Sequence, residues 1–280
     1  MKLAYFPGCA ATGTGRELNS STLAACQAYG IELAEIPNWV CCGASAAHMT
    51  HPNLARALPA VSLAKAATMD VEGVLTACAA CYNRLRLVEL ECKESDAARQ
   101  EIEALADVKL EAVPPVRHII EVFDPAQVAA KRSRAMSSLR VACYYGCLLT
   151  RPKEVSLDPN TVNPRVLDDL IRACGAETVE WPFKTECCGA SLVLPQPESV
   201  ARLSGRLLDA AQACGAEAIV VACPLCHSNL DLMQPTARRA LATASPLPIL
   251  YLTELVALAL GAPESKLDLG RHTVPVPSLA

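Results

Sequence analysis

Two stretches of the chain share one pattern of apolar and polar positions. Leu3 to Cys9 (LAYFPGC) and Val141 to Cys147 (VACYYGC) align without a gap, and each is a short apolar run that ends in Gly-Cys. Each run is followed by a polar loop, a segment with helical spacing, and a glycine placed to end a helix. This self-similarity predicts an internal repeat. The predicted helices are 21–29, ended by Gly30, and 166–174, ended by Gly175, with Asn163 as the N-cap of the second and Pro164 in its first turn.

Two further pairs of strand-like segments extend the repeat. Residues 31–36 and 176–181 alternate apolar and polar side chains and lead into Cys-Cys-Gly-Ala-Ser in both halves. Residues 71–78 and 218–223 are apolar runs that end at the first cysteine of a Cys-x-x-Cys pair. Between these blocks, the second half contains an amphipathic helix that Gly215 ends. Its apolar face consists of Val200, Leu203, Leu207, Ala211 and Cys214.

This order of segments predicts an α/β fold. Strands that alternate with helices pair in parallel through right-handed crossovers. We therefore predict two similar domains, residues 1–132 and 133–280, each a small parallel sheet flanked by helices. Segments 116–123 and 249–257 are predicted to add a matching terminal element to each domain. Because every cysteine block follows a strand, all blocks should lie at one edge of their sheet, where open α/β sheets place their sites.

Composition and charge narrow the class of protein. Apolar residues make up 52% of the chain and charged residues 19%, which is ample for a buried core. A net charge of -4 without a long basic run predicts neither nucleic-acid nor anionic-membrane binding. The most apolar segment, Leu247 to Gly261, is too short to span a membrane and contains Glu254, and the start lacks a signal-peptide core. We therefore predict a cytoplasmic protein whose reduced cysteines bind metal or react.

Ten of the fifteen cysteines recur as two sets of five. Zinc and iron–sulfur clusters both prefer thiolate ligands. Adjacent cysteines would close a strained ring if they bound one tetrahedral ion, so each adjacent pair favours a cluster of several metal atoms. Five thiolates also exceed the four that a structural zinc ion or a cubane cluster needs. A zinc ion in one half is the alternative. The first set is Cys9, Cys41, Cys42, Cys78 and Cys81, and the second is Cys147, Cys187, Cys188, Cys223 and Cys226.

The arrangement of these cysteines resembles the paired CCG signature of the B-type chain of heterodisulfide reductase. The resemblance covers essentially the whole chain. It includes the Tyr-Phe-Pro-Gly-Cys and Tyr-Tyr-Gly-Cys openings, both Cys-Cys-Gly blocks, and the segment Cys-Pro-Leu-Cys-His-Ser-Asn-Leu-Asp at 223–231. The second half departs from the first by a longer interval between Gly-Cys and Cys-Cys-Gly, 39 residues against 31.

The resemblance implies a cofactor, a reaction and partners. Each five-cysteine set would hold one noncubane [4Fe-4S] cluster, and a disulfide would be reduced between the two clusters; in methanogens this is the disulfide of coenzyme M and coenzyme B. The chain would then be the catalytic subunit of an oxidoreductase complex. Electrons would come from a ferredoxin-like subunit of the C type with two cubane clusters, which a flavin-containing subunit of the A type supplies. No flavin-binding Gly-x-Gly-x-x-Gly follows a strand in this sequence.

Other functions stay open from the sequence. Related CCG proteins also occur as electron-transfer subunits of complexes that act on fumarate, succinate, lactate, glycolate or sulfur compounds. His48 and His227 follow cysteine blocks closely and are candidate proton donors to the released thiols. Arg151 or Lys153, in the longer second-half loop, would suit an anionic thiol. The remaining residues are expected to pack in the core or lie at the surface, and these are Cys26, Cys92, Cys143, Cys174, Cys214, His51, His118 and His272.

Overall fold

Each half of the chain forms its own four-stranded parallel sheet, and the two sheets have the same strand order. The structure is a computed structural model that describes residues 1–44, 47–137, 139–241 and 246–276. The order is β2-β1-β3-β4 in the first half and β6-β5-β7-β8 in the second. Every neighbouring pair of strands is parallel. The predicted α/β fold with two similar, helix-flanked sheets is therefore confirmed.

The first half contains four strands and eight helices among its described residues. The strands are β1 (Lys2–Tyr5), β2 (Glu32–Glu35), β3 (Val74–Thr76) and β4 (Val116–His118). The helices are α1 (Gly8–Thr12), α2 (Arg16–Tyr29), α3 (Ala47–Thr50), α4 (Leu54–Ala67), α5 (Ala79–Glu94), α6 (Asp96–Ala106), α7 (Ile119–Val122) and α8 (Pro125–Lys131). The predicted boundary between the domains, at residues 132 and 133, falls just after α8 and stays a prediction.

The second half repeats the order of the strands. Its strands are β5 (Arg140–Tyr144), β6 (Glu177–Thr178), β7 (Ala218–Val221) and β8 (Ile249–Tyr251). Its helices are α9 (Val166–Ala173), α10 (Pro197–Ala213), α11 (Pro224–Asp231), α12 (Gln234–Leu241) and α13 (Leu252–Ala259). Short 3-10 turns cover Lys153–Val155, Ala190–Val193, Glu264–Lys266 and Leu269–Arg271.

Two predicted boundaries in the second half are wrong. Helix α9 begins at Val166, so Asn163 is not its N-cap. The Asp158 carboxylate instead accepts hydrogen bonds from the backbone N–H groups of Arg165 and Val166, at 2.7 and 3.3 Å. The strand predicted over 176–181 pairs only at Glu177–Thr178, because the Trp181 indole N–H, and not a backbone group, donates to the Cys143 carbonyl at 2.9 Å. Ser45 of the first Cys-Cys-Gly-Ala-Ser block lies outside the described residues.

The two halves pack directly against each other. Helix α2 of the first half lies against α13 of the second, where the buried hydroxyls of Ser21 and Thr253 are 2.7 Å apart. The side-chain amide of Asn83 donates to the carbonyls of Leu148 and Arg151, at 3.0 and 2.9 Å. These contacts bring the carboxyl ends of both sheets toward one shared boundary.

Candidate functional site

The Gly-Cys turns place the first cysteine of each set at the end of a central strand. Gly8 and Gly146 follow β1 and β5 and adopt positive φ values of 74° and 65°. A Cβ atom on Gly8 would lie 2.9 Å from the Cys81 sulfur, and one on Gly146 would lie 3.2 Å from the Cys226 sulfur. Glycine is therefore required at this position for two reasons, the backbone conformation and the close approach of a sulfur atom.

Each Cys-x-x-Cys pair lies at the amino terminus of a helix. Cys78 is the N-cap of α5 and Cys223 the N-cap of α11, and both have extended backbones. Cys81 and Cys226 lie in the first turns of these helices, and all four cysteines are buried. The helix dipole and the free N–H groups of the first turn favour negative charge there. Of these four thiols only Cys223 has a lowered pKa, chiefly through its contact with Cys226, whereas contacts with neighbouring thiols raise the pKa of Cys78, Cys81 and Cys226.

The adjacent cysteines of each half direct their sulfurs to different neighbours. The Cys41 sulfur accepts a hydrogen bond from the Gly43 N–H at 3.4 Å, whereas the Cys42 sulfur lies 3.4 Å from that of Cys81. The second half repeats both contacts. The Gly189 N–H lies 3.3 Å from the Cys187 sulfur, and the sulfurs of Cys188 and Cys226 are 3.5 Å apart.

The pKa values of neighbouring thiols differ. Hydrogen bonds from Cys41 and Cys81 lower the pKa of Cys42 to about 3, while the same contact raises the pKa of Cys41. A hydrogen bond from Cys147 lowers the pKa of Cys187 to about 6. Each set therefore holds a thiolate at neutral pH, and its neighbours donate to that thiolate. This is the protonation state from which metal binding proceeds.

The two sets meet at Cys78 and Cys223. Their thiols interact across the boundary between the halves. This interaction raises the pKa of Cys78, and it adds to the effect of Cys226, which lowers the pKa of Cys223. Next to them, the Ala79 N–H donates to the Ala222 carbonyl at 3.3 Å. The structure thus joins the two predicted sets through one pair of thiols. Cys9 is exposed and interacts electrostatically with Cys41.

Two arginines lie beside the thiols of the adjacent-cysteine blocks. The half-buried Arg84 interacts electrostatically with Cys42, and Arg151 does so with Cys187 and lowers the pKa of that thiol. Arg151 and Lys153 are both exposed, and their binding of an anionic thiol stays a prediction. The Arg84 contact was not anticipated from the sequence, since Arg84 lies three residues beyond Cys81 on a helix whose rotation relative to the cysteines only the structure gives.

The two predicted proton donors lie in different surroundings. His48, in α3, has a buried Nδ1 without a hydrogen-bond partner among the described residues. His227 is buried, and its Nε2 lies 3.2 Å from the Ile249 carbonyl and 3.1 Å from Nδ1 of His272. Burial lowers the pKa of His227 to about 4. The role of either histidine as a proton donor stays a prediction.

The segment before Cys187 is held by a buried ion pair that no sequence pattern predicted. The Lys184 ammonium lies 2.8 Å from the Asp168 carboxylate, and both side chains are almost fully buried. The Tyr145 hydroxyl donates to the same carboxylate at 2.6 Å. The N–H groups of Tyr145 and Gly146 donate to the Lys184 carbonyl. Local sequence does not mark this network, because its members are distant along the chain.

The donor chemistry of both sets fits a polynuclear iron–sulfur group. Soft sulfur ligands predominate, adjacent cysteines have separate neighbours, and the flanking backbone N–H groups can hydrogen-bond to sulfur. Among the described residues, no three or more His, Cys, Asp or Glu side chains converge at the spacing of a single metal ion.

Fold and site together define a class of protein: a tandem α/β repeat with five thiols at the sheet edge of each half. The chain belongs to the CCG cysteine-rich domain family, whose model matches residues 3–86 and 141–231. The Wolinella succinogenes 8-methylmenaquinol:fumarate reductase membrane anchor subunit is 30% identical to it over 99% of both chains. The B chain of the Methanosarcina mazei ferredoxin:CoB-CoM heterodisulfide reductase is 28% identical over 98% of this chain and 94% of that protein.

One solved structure is similar in fold, and its low sequence identity supports no conclusion beyond the fold. A hypothetical protein from Helicobacter pylori superposes with a TM-score of 0.78 at 12% identity, over 98% of this chain and 52% of that one. This chain thus spans about half the length of that solved protein. No helix within the described part of the chain combines the length and the apolar character that a bilayer crossing requires.

Proposed function

We propose that this chain is the iron–sulfur catalytic subunit of a heterodisulfide reductase-like complex. In this proposal each half holds one noncubane [4Fe-4S] cluster through its five cysteines, and a disulfide is reduced between the halves. The observation that carries the proposal is the backbone hydrogen bond from the Ala79 N–H to the Ala222 carbonyl at 3.3 Å, because these residues adjoin Cys78 and Cys223 and both thiol sets therefore lie at one shared boundary. The M. mazei relative supports the assignment, since the likeness extends over nearly the full length of both chains.

The reaction balances with two electrons and two protons. The disulfide R–S–S–R′ accepts both electrons, its S–S bond breaks, and two protons complete the thiols RSH and R′SH. When bound, the clusters supply electrons one at a time. The chain itself supplies the thiolates, the amino termini of α5 and α11, and the positive charge of Arg84 and Arg151 near the sulfurs. These cationic groups favour an anionic substrate and its thiolate products.

The proposal includes partners and a location. Electrons would enter from a ferredoxin-like subunit of the C type, supplied by a flavin-containing subunit of the A type. Both proposals rest on the resemblance to heterodisulfide reductase, and the cytoplasmic location rests on the composition of the chain. Purification of the intact complex from its source, with identification of the co-purifying chains, tests the two partners directly.

A second function has support of its own. The W. succinogenes relative belongs to a fumarate reductase, and its 30% identity over 99% of both chains is no weaker than that of the M. mazei relative. In this second proposal the chain transfers electrons within another oxidoreductase complex, and no disulfide is reduced. A zinc ion in one half, with a cluster in the other, is the alternative cofactor content, and it is compatible only with this second function.

Metal content is the first test. Anaerobically purified protein is expected to contain about eight iron atoms and a matching amount of sulfide per chain, as two [4Fe-4S] clusters require. Cys42→Ser is expected to lose the cluster of the first half, and thus about half of the iron. Cys214→Ser is the matched control, because Cys214 is exposed at the end of α10. About two zinc ions and no iron would refute the cluster proposal.

Activity separates the two functions once the clusters are present. Reduction of the coenzyme M and coenzyme B disulfide by a reduced viologen dye is expected for the first function. Intact clusters that exchange electrons with the dye but leave every disulfide tested unreduced would favour the second.

The two histidines are tested in the same assay. His48→Ala and His227→Ala, with full iron content, are expected to slow turnover and change its pH profile if either residue supplies a proton. Unchanged turnover across the pH range in both variants would remove that role.

A further inference from the structure

His118 and Tyr251 occupy equivalent positions in the two halves. His118 is the last residue of β4 and pairs with Thr76, and Tyr251 is the last residue of β8 and pairs with Val221. In each half, the paired residue on the neighbouring strand stands two positions before the first cysteine of Cys-x-x-Cys. The equivalence extends to the backbone. The N–H of His118 donates to Glu121 at 2.6 Å, and that of Tyr251 donates to Glu254 at 2.9 Å.

Each of these rings lies against the residue that follows Cys-x-x-Cys, and the two ring types are exchanged between the halves. In the first half, Tyr82 meets His118 edge to face, with centroids 5.6 Å apart. In the second half, His227 stacks on Tyr251 at 4.3 Å. The repeat therefore keeps one imidazole and one phenol beside each cysteine pair but reverses their order. Both His118 and Tyr251 are completely buried.

Both side chains end in a buried polar atom that is left unsatisfied. Nε2 of His118 and the hydroxyl of Tyr251 have no hydrogen-bond partner within the described ranges. The Tyr251 hydroxyl crosses to the first half, where it would lie 3.4 Å from a Cβ atom on Gly15. An unsatisfied buried polar group is costly and calls for an explanation. Here the same feature occurs at equivalent positions of both halves.

The protonation state makes both atoms donors. Nδ1 of His118 accepts the Ile120 N–H at 3.3 Å, so the neutral ring carries its proton on Nε2. Burial lowers the pKa of His118 to about 4, although the carbonyls of Ala222 and Ala77 act in the opposite direction. Burial also raises the pKa of Tyr251. At neutral pH the pair therefore offers one N–H and one O–H.

Both donors lie beside residues that are adjacent to the boundary cysteines. The Tyr251 hydroxyl and Pro224, which follows Cys223, both lie 3.4 Å from the Cβ position of Gly15. His118 lies beside the carbonyls of Ala77 and Ala222, which precede Cys78 and Cys223. His118 interacts electrostatically with Cys223, which belongs to the other half. Tyr251 interacts with both Cys223 and Cys78. These two cysteines are the ones through which the thiol sets meet.

We propose that His118 Nε2 and Tyr251 Oη are a pair of hydrogen-bond donors to the sulfur of the group that Cys78 and Cys223 would hold. This inference rests on the proposed function. Hydrogen bonds to cluster sulfur stabilise the reduced, more negative state and raise the reduction potential. The two residues are positioning residues that set the electrostatics where the halves meet.

The test uses two conservative variants and one matched control. Tyr251→Phe removes only the hydroxyl and keeps the ring stacked on His227. His118→Asn removes Nε2 and keeps a side-chain acceptor for the Ile120 N–H. Tyr29→Phe is the control, because its hydroxyl already accepts the Asp124 N–H at 3.0 Å and Tyr29 lies at the opposite end of α2 from Gly15.

Redox titration followed by EPR is the main readout, on protein whose iron content and circular dichroism match the wild type. Each variant is expected to shift one midpoint potential to a more negative value, by about tenfold in the reduction equilibrium, which is about 59 mV for one electron. Tyr29→Phe is expected to leave both potentials unchanged. A structural role alone would not move the potential of correctly loaded protein.

A second readout needs no metal. In chelator-treated protein, Tyr251→Phe is expected to keep or raise the urea midpoint, because the hydroxyl it removes has no partner among the described residues. Tyr29→Phe is expected to lower the midpoint, because it removes a hydrogen bond that is present. Absence of iron in the wild type would refute the proposed function. Unchanged potentials in both iron-loaded variants, or a lowered urea midpoint in Tyr251→Phe, would overturn the donor pair.

Discussion

At the scale of single residues, two glycines set how closely the cysteines approach one another. Gly8 and Gly146 precede the first cysteine of their sets, and the second cysteine of the Cys-x-x-Cys pair lies against each of them. Gly30 also has a positive φ, 97°, but a Cβ atom there would meet nothing within 4 Å. The chain therefore offers an internal comparison between backbone strain alone and strain combined with a contact to sulfur.

Gly8→Ala is expected to remove the cluster of the first half while the chain stays folded. The added methyl group would lie 2.9 Å from the Cys81 sulfur, which must then move away from its set. The iron content should fall by about half, since one cluster of two is lost. Gly30→Ala should cost about 1 to 2 kcal/mol of stability for its backbone conformation and keep all of its iron. Equal iron loss in both variants would contradict this account.

At the scale of elements, the buried ion pair fixes the segment that carries Cys187 and Cys188. Lys184 binds Asp168 of α9 through its side chain and binds the turn after β5 through its carbonyl. A helix, a strand end and a cysteine block are thereby held together. The exposed pair of Arg165 and Glu180 lies nearby, but each of its side chains is about half accessible to solvent.

Lys184→Met is expected to lower the free energy of unfolding by about 3 kcal/mol, because it removes the nearest cation from the buried Asp168 carboxylate and leaves only Arg172, 4.0 Å away. Urea unfolding followed by circular dichroism measures this loss. Arg165→Met should cost at most about 1 kcal/mol, as is usual for exposed pairs. A similar loss of unfolding free energy in both variants would show that the buried pair stabilises the protein no more than the exposed pair does.

At the scale of the whole molecule, contacts between the two halves lead us to expect that the halves unfold together. The hydroxyls of Ser21 and Thr253, the amide of Asn83, and the thiols of Cys78 and Cys223 all bridge them. Each half also carries one tryptophan, Trp39 in the first and Trp181 in the second. The two indoles can therefore report on the two halves independently.

Metal-free Trp39→Phe and Trp181→Phe are each expected to unfold in a single transition. In each variant the fluorescence midpoint in urea should coincide with the midpoint from circular dichroism, because the remaining tryptophan belongs to a unit that unfolds with its neighbour. A fluorescence midpoint that differs from the circular dichroism midpoint in either variant would mean that one half unfolds first.

Much of the fold could be predicted from the sequence, because the signals that mark strands and helices are local. The periodicity of strands and of helices, and the glycines that end helices, are local signals, so β1, β5, α10 and the second part of α2 could be placed from their own residues. The first turn of α2, from Arg16 to Ser20, was missed. The N-cap of α9 could not be predicted, because the Asp158 carboxylate that binds its first N–H groups comes from a preceding loop. The matched segments 116–123 and 249–257 do align His118 with Tyr251, but only the structure shows that both side chains are buried with an unsatisfied polar atom.

The exchange of the histidine and tyrosine positions between the two halves has a consequence for the design of such tandem proteins. A chimera that fused two copies of the first half would present two imidazoles at the centre, and one made from two second halves would present two phenols. Only the union of unlike halves presents one of each. The single imidazole and single phenol at these two positions therefore depend on both halves, and a chimera of two like halves is expected to lose one of the two donor types.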